Sequence, residues 1–227
     1  MRERCWKRAF NGTEIGAPYS TNITRLINGL ARLELELDWF LSNRKMSIVL
    51  PVKGKMPQMG ERVWLAPNAT VVGEVTLGND CTVWFNAVVR GDVHFIKVGD
   101  RTNIQDGAVI HGTYEKASTT IGNDVSIGHN ALVHGCTVGN HVLIGMGAIV
   151  MDNAVLEDYC MIAAGAVVLE NTVCESGYLY AGIPAKKIKP LDERLRNVVE
   201  ITPPRYMEYA SWFQEVDSKN ELKVEKL

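Results

Sequence analysis

Aliphatic residues recur at every sixth position along most of this chain. From Leu65 the step gives Val71, Leu77, Val83 and Val89. A second run reads Val98, Ile104, Ile110 and a third Ile121, Ile127, Val133. The longest reads Val138, Ile144, Val150, Leu156, Ile162, Val168, with Cys174 as a degenerate last member. Gly follows the aliphatic residue at Gly78, Gly99, Gly122, Gly128, Gly139 and Gly145. Two positions before it sits a small or β-branched residue, among them Ala69, Val75, Cys81, Ala87, Thr102, Ala108, Ala131, Ala148 and Ala166. A helix repeats at about 3.6 residues and an alternating strand at 2, so neither explains this period. A short strand and a corner, three times per coil with one aliphatic side chain pointing inward from each side, does. The pattern predicts an all-β prism, a parallel β-helix over 46–180, its coils stacked about 4.8 Å apart.

The register breaks in three places. Three residues are added around Val93–Lys97, five around Thr113–Ser118, and one is missing between Val133 and Val138. Insertions into a solenoid are expected as extruded loops on its functional face. After AGIPAKKIKP (181–190), helical spacing predicts C-terminal α-helices packed on the prism: 191–201, stopped by Pro203–Pro204, then 205–216 with Tyr206, Tyr209, Ala210 and Phe213 on one stripe. The segment 181–217 is thus a helical appendage, and 218–227 reads as a charged, frayed tail. Residues 1–45 differ in composition and read as a dispensable extension. Met46 is an alternative start, which mass spectrometry of the native N-terminus would settle.

Charge excludes some functions. With 24 Lys+Arg against 26 Asp+Glu in 227 residues, the chain has no electrostatic footprint for nucleic acid or an anionic membrane. No apolar run approaches the ~18 residues of a spanning helix. The five cysteines include no CxxC pair. Three of them, Cys81, Cys136 and Cys160, take the small inward position, as reduced core filler in a cytoplasmic protein.

The histidines carry the chemistry. His111 follows inward Ile110 and His134 follows inward Val133, one full coil apart, so the two stack on one edge about 5 Å apart. That spacing suits two ligands of one metal, with Zn–N bonds of ~2.0–2.1 Å. His129 belongs to the adjacent edge, out of reach of its own chain's pair. Prisms packed about a threefold axis would bring His129 of one subunit to the pair of the next, giving the three ligands a catalytic zinc needs. His94 and His141 read as solvent-exposed, with His94 a secondary proton-relay candidate.

The segments VVRGDVHFIKVGDRTNIQDGAVIHG (88–112) and IGNDVSIGHNALVHGCTVGNHVLIGMGAIV (121–150) resemble the gamma-class carbonic anhydrases, and the resemblance runs over about 48–216. It implies a left-handed β-helix and a homotrimer with Zn2+ (Fe2+ or Co2+ also suit imidazole) at each interface, held by His111, His129 and His134. It implies CO2 and bicarbonate as substrates. Arg90 and Asp92 correspond to a salt bridge across the subunit boundary that helps hold bicarbonate, and Asn103 and Gln105 to polar residues that orient water and substrate. Asp106 corresponds to a residue that fixes a turn or a histidine, and Tyr206 to a tyrosine of the C-terminal helix that reaches the site. The family's founding members carry proton-shuttle glutamates where this chain has Val93 and Tyr114, with Glu115 adjacent but not equivalent. Two other readings share the repeats. One is a hexapeptide acyltransferase using acetyl-CoA, for which the loop AGIPAK (181–186) counts equally; the other is a non-catalytic metal-binding trimer.

Overall fold

The structure is a computed structural model and describes residues 47–224. The extension 1–45 lies outside the described residues, as do 225–227. The six-residue period closes into three stacked faces. On the first, parallel strands pair in the register Leu65, Val83, Ile104, Ile127, Ile144, Ile162, Tyr180. The second runs Val71, Val89, Ile110, Val133, Val150, Val168. The third runs Leu77, Val98, Ile121, Val138, Leu156, Cys174. Apart from Tyr180, which ends the first column, the members are the inward residues read from the sequence, and almost all are fully buried. Burying one such side chain is worth about 1.5–3 kcal/mol.

Backbone geometry explains the polar corners. The third residue after an inward position on the first face turns the chain with a positive φ, at Asn68 (69°), Asn86 (58°) and Asn130 (57°). Asn tolerates that conformation because its short amide can satisfy the local backbone. Close stacking explains the glycines: a Cβ on Gly122 would stand 2.6 Å from the Gly139 carbonyl oxygen of the next coil.

Two of the expected local features differ from the structure. The insertion around Val93–Lys97 is not extruded as a loop; it lies within one continuous strand, Val88–Val98. Gly91 pairs with Gly73 and Ile96 with Val75, so Asp92–Phe95 bulge opposite Glu74 alone. The C-terminal segment is one α-helix, Glu193–Val224, not two, and it continues through Pro203 and Pro204 into the segment expected as a frayed tail. Pro203 is buried, and burial of the helix's apolar face offsets the ladder bonds that the two prolines cannot donate.

Asp192 caps this helix by accepting the Leu195 N–H at 2.9 Å. Leu191, Leu195 and Val199 then pack on Leu143, Met161 and Leu179 of the first face. Further along, Tyr206 meets Trp84 edge-on (5.2 Å) and Phe213 meets Trp64 (5.5 Å). The helix therefore covers the outer side of the first face from its last coils to its first. Among the described residues no helix is long and apolar enough to cross a membrane.

Burial pushes the thiol of Cys81 up to about 11 and those of Cys136, Cys160 and Cys174 up to about 12. These four thiols are expected to resist alkylation in the native protein and to react together only on unfolding, as mapped by mass spectrometry. Rapid native labelling of Cys136 would contradict the packing.

Candidate metal centre

The corner after the second face carries a column of side chains that follow the inward residues: Val72, Arg90, His111, His134 and Met151. Strand pairing places His134 directly on His111 and Val72 beside Arg90. The corner after the first face carries a second column, Phe85, Asp106, His129 and Met146, two positions past Val83, Ile104, Ile127 and Ile144. His129 thus stands on a different edge from the other two histidines. Among the described residues, no three His, Cys, Asp or Glu side chains of one chain group to hold a metal.

Each of the three imidazoles is held by a carboxylate through one nitrogen. His111 Nε2 lies 2.9 Å from Asp92 Oδ1, His134 Nδ1 2.5 Å from Asp152 Oδ1, and His129 Nδ1 2.9 Å from Asp106 Oδ2. Burial alone would raise the Asp92 carboxyl, but hydrogen bonds from His111 and Arg90 outweigh it and hold it below the ordinary range. Burial likewise opposes, and bonds from Thr113 and His134 overcome, at Asp152. Ionised carboxylates only accept, so the ring N–H points at the acid in each pair and the other nitrogen is left with its lone pair.

Those bare nitrogens, His111 Nδ1 and His134 Nε2, face each other at 3.2 Å. Two ligands at 2.0–2.1 Å from a tetrahedral cation stand about 3.3–3.4 Å apart. Two lone pairs at this distance repel unless a proton or a cation lies between them, so the donor set fits a metal. The bare Nε2 of His129 accepts from the Tyr206 hydroxyl at 3.2 Å. Burial, with Asp106 and Tyr209 adding to it, pushes that phenol up to about 12, so it stays a donor.

The remaining sequence candidates are placed as follows. Arg90 Nη1 donates to Asp92 Oδ2 at 2.5 Å within one chain, because the bulge at Asp92–Phe95 turns Asp92 back over the histidine edge. Gln105 Nε2 donates to Asn103 Oδ1 (2.9 Å) and Asn103 Nδ2 to Ser126 Oγ (2.8 Å), a buried chain beneath the C-terminal helix. His94 and His141 are half-buried rather than exposed. His94 Nδ1 accepts from the Phe95 N–H (2.9 Å), and His141 stacks on Tyr159 at 4.8 Å.

Sequence reasoning missed Asp152, Thr113 and Thr119. Asp152 lies 18 residues past His134, one coil on, so the same count that paired the histidines would have found it. Thr119 Oγ1 donates to the His111 carbonyl at 2.5 Å, across the loop, and no local signal marks it.

The family model "Bacterial transferase hexapeptide (six repeats)" matches residues 56–91 and 135–170. Protein YrdA of Escherichia coli is 43% identical over 171 residues, 72% of this chain and 93% of that protein. Gamma carbonic anhydrase 2, mitochondrial, of Arabidopsis thaliana is 34% identical over 205 residues, 88% of this chain and 72% of that one. A hexapeptide transferase family protein from Anaplasma phagocytophilum superposes with a TM-score of 0.70 at 36% identity, covering 74% of this chain and 98% of that one. With its β-helix and its paired histidines, the chain belongs to the gamma carbonic anhydrase family of hexapeptide-repeat proteins.

Proposed function

We propose that this protein is a metal-dependent carbonic anhydrase, hydrating CO2 reversibly to bicarbonate where two chains of a homotrimer meet. The observation that carries the reading is that each of the three imidazoles has one nitrogen on a carboxylate, while the free nitrogens of His111 and His134 face each other and that of His129 meets the Tyr206 hydroxyl. His111 and His134 of one chain and His129 of a neighbour would hold the cation, Zn2+ or equally Fe2+ or Co2+. When bound, it would supply the Lewis acidity that makes water a nucleophile near neutral pH.

The chain's own residues do the rest. Asp92, Asp152 and Asp106 fix ring tautomer and orientation, as carboxylates behind metal-ligating histidines do. Arg90, with part of its guanidinium exposed beside the histidine edge, offers an anion contact for bicarbonate. The Gln105 amide donates to Asn103, whose own amide donates to Ser126, so this chain fixes the rotamers of the two residues that would orient water and substrate. Val93 and Tyr114 offer no carboxylate, so protons pass to buffer. Turnover is therefore expected to rise with the concentration of an imidazole-type buffer; a buffer-independent rate would point to an internal shuttle.

Stopped-flow CO2 hydration on metal-loaded protein, with metal content measured per chain, tests the reading. A rate above the blank that chelation abolishes is expected. Stoichiometric metal without turnover would leave the non-catalytic metal-binding trimer. The transferase name of the Anaplasma protein keeps the acetyl-CoA reading in view. Acyl transfer that survives both chelation and His129→Ala would establish it instead. The site is also expected to be cytoplasmic, as the reduced buried thiols suit that compartment.

A further inference from the structure

The extruded loop after the first histidine makes an unassigned contact with the site. Thr113 and Ala117 close it by paired backbone bonds, Thr113 N–H to the Ala117 carbonyl at 2.9 Å and Ala117 N–H to the Thr113 carbonyl at 3.2 Å. This pins the Thr113 side chain, and its Oγ1 donates to Asp152 Oδ2. The other oxygen of that carboxylate, Oδ1, takes the His134 Nδ1–H. Both oxygens of Asp152 are thereby engaged, one by a loop and the other by a ring, and the carboxylate is only 18% exposed.

The surroundings are built around this carboxylate. Gly135, beside His134, has φ +57°, and a Cβ there would stand 2.4 Å from Asp152 Oδ1 and 2.7 Å from Ala117 Cβ. A side chain at 135 would collide with the acid and the loop at once. Thr119, at the loop's far end, donates to the His111 carbonyl and accepts the Gly135 N–H at 3.0 Å. The loop therefore grips both histidine-bearing strands: His134 through Asp152, and the His111 backbone through Thr119.

We infer that Asp152 is the positioning residue for His134, and that Thr113 orients Asp152 so that the 113–118 loop acts as a clamp on the His111–His134 pair. The inference rests on the metal reading for its consequence, but its mechanism, the tautomer of one ring, exists without metal.

The test therefore has two readouts on Asp152→Asn, Asp152→Ala and Thr113→Val. The first is the tautomer of His134 in the metal-free full-length protein, from long-range 15N–1H correlation. Wild type is expected as the Nδ1–H form, with the Nε2–H form gaining population in Asp152→Ala. The second is Zn2+ affinity by competition with a chromophoric chelator. Asp152→Ala is expected to bind about 10–100-fold more weakly. Asp152→Asn, whose amide oxygen still accepts, should fall between it and wild type, and Thr113→Val should lose several-fold. A wild-type His134 in the Nε2–H form, or wild-type zinc affinity in a folded Asp152→Ala, would overturn the clamp. If wild type binds no zinc while the tautomer switch still occurs, the metal reading fails and the positioning of His134 stands.

Discussion

Mixing chains that carry His129→Ala with chains that carry His134→Ala is expected to restore metal binding that neither variant shows alone. Within one chain the His111–His134 edge and the His129 edge are separate corners of the prism, and no three ligating side chains group among the described residues. Each single variant should leave a homotrimer without one complete set of three ligands. In a mixed trimer, an interface is intact when the His129→Ala chain supplies the pair and the His134→Ala chain supplies His129. Random assembly of equal amounts leaves one interface of three intact in every mixed trimer, so metal per chain in the mixed trimers should return to about a third of the wild-type value. Elemental analysis of co-expressed, doubly tagged protein measures it, with CO2 hydration recovering in proportion. No recovery in mixed trimers, or full metal in either variant alone, would remove His129 from the shared site.

The sequence is legible where one residue type must repeat on every coil. The inward column Val89, Ile110, Val133, Val150 can be counted off because each rung buries the same kind of group against the rung before it. His111 over His134 came from the same counting, and so would Asp152 have come had the count been carried one coil further. What counting cannot see is a feature decided by the neighbouring coil. Whether the three added residues near Val93 leave as a loop or stay as a bulge depends on Glu74 in the partner strand and on how much of that strand keeps pairing. That choice also decides where Asp92 points and so its contact with Arg90 of the same chain. The prolines misled for a related reason. Their cost is local and readable, whereas the buried face that offsets it belongs to the prism beneath the helix.

Fold and site meet at Ile110. Its side chain is fully buried between Val89 and Val133, and the next residue is His111. Ile110→Ala should leave a cavity in the middle of a close-packed column, costing about 2–5 kcal/mol by denaturant unfolding at fixed protomer concentration. Ile162, equally buried but on the first face nearer the C-terminal end, should cost a similar amount when cut to Ala. The two should part in metal affinity. A solenoid passes strain chiefly to adjacent coils, so Ile110→Ala can tilt the strand that aims His111 at His134, while Ile162→Ala leaves that pair undisturbed. Chelator competition should therefore show weaker binding for the first variant and wild-type binding for the second. Equal losses of affinity would mean the geometry of the pair depends on the whole stack. A cost below about 1 kcal/mol at Ile110 would mean that this column relaxes into the cavity far more readily than its packing implies.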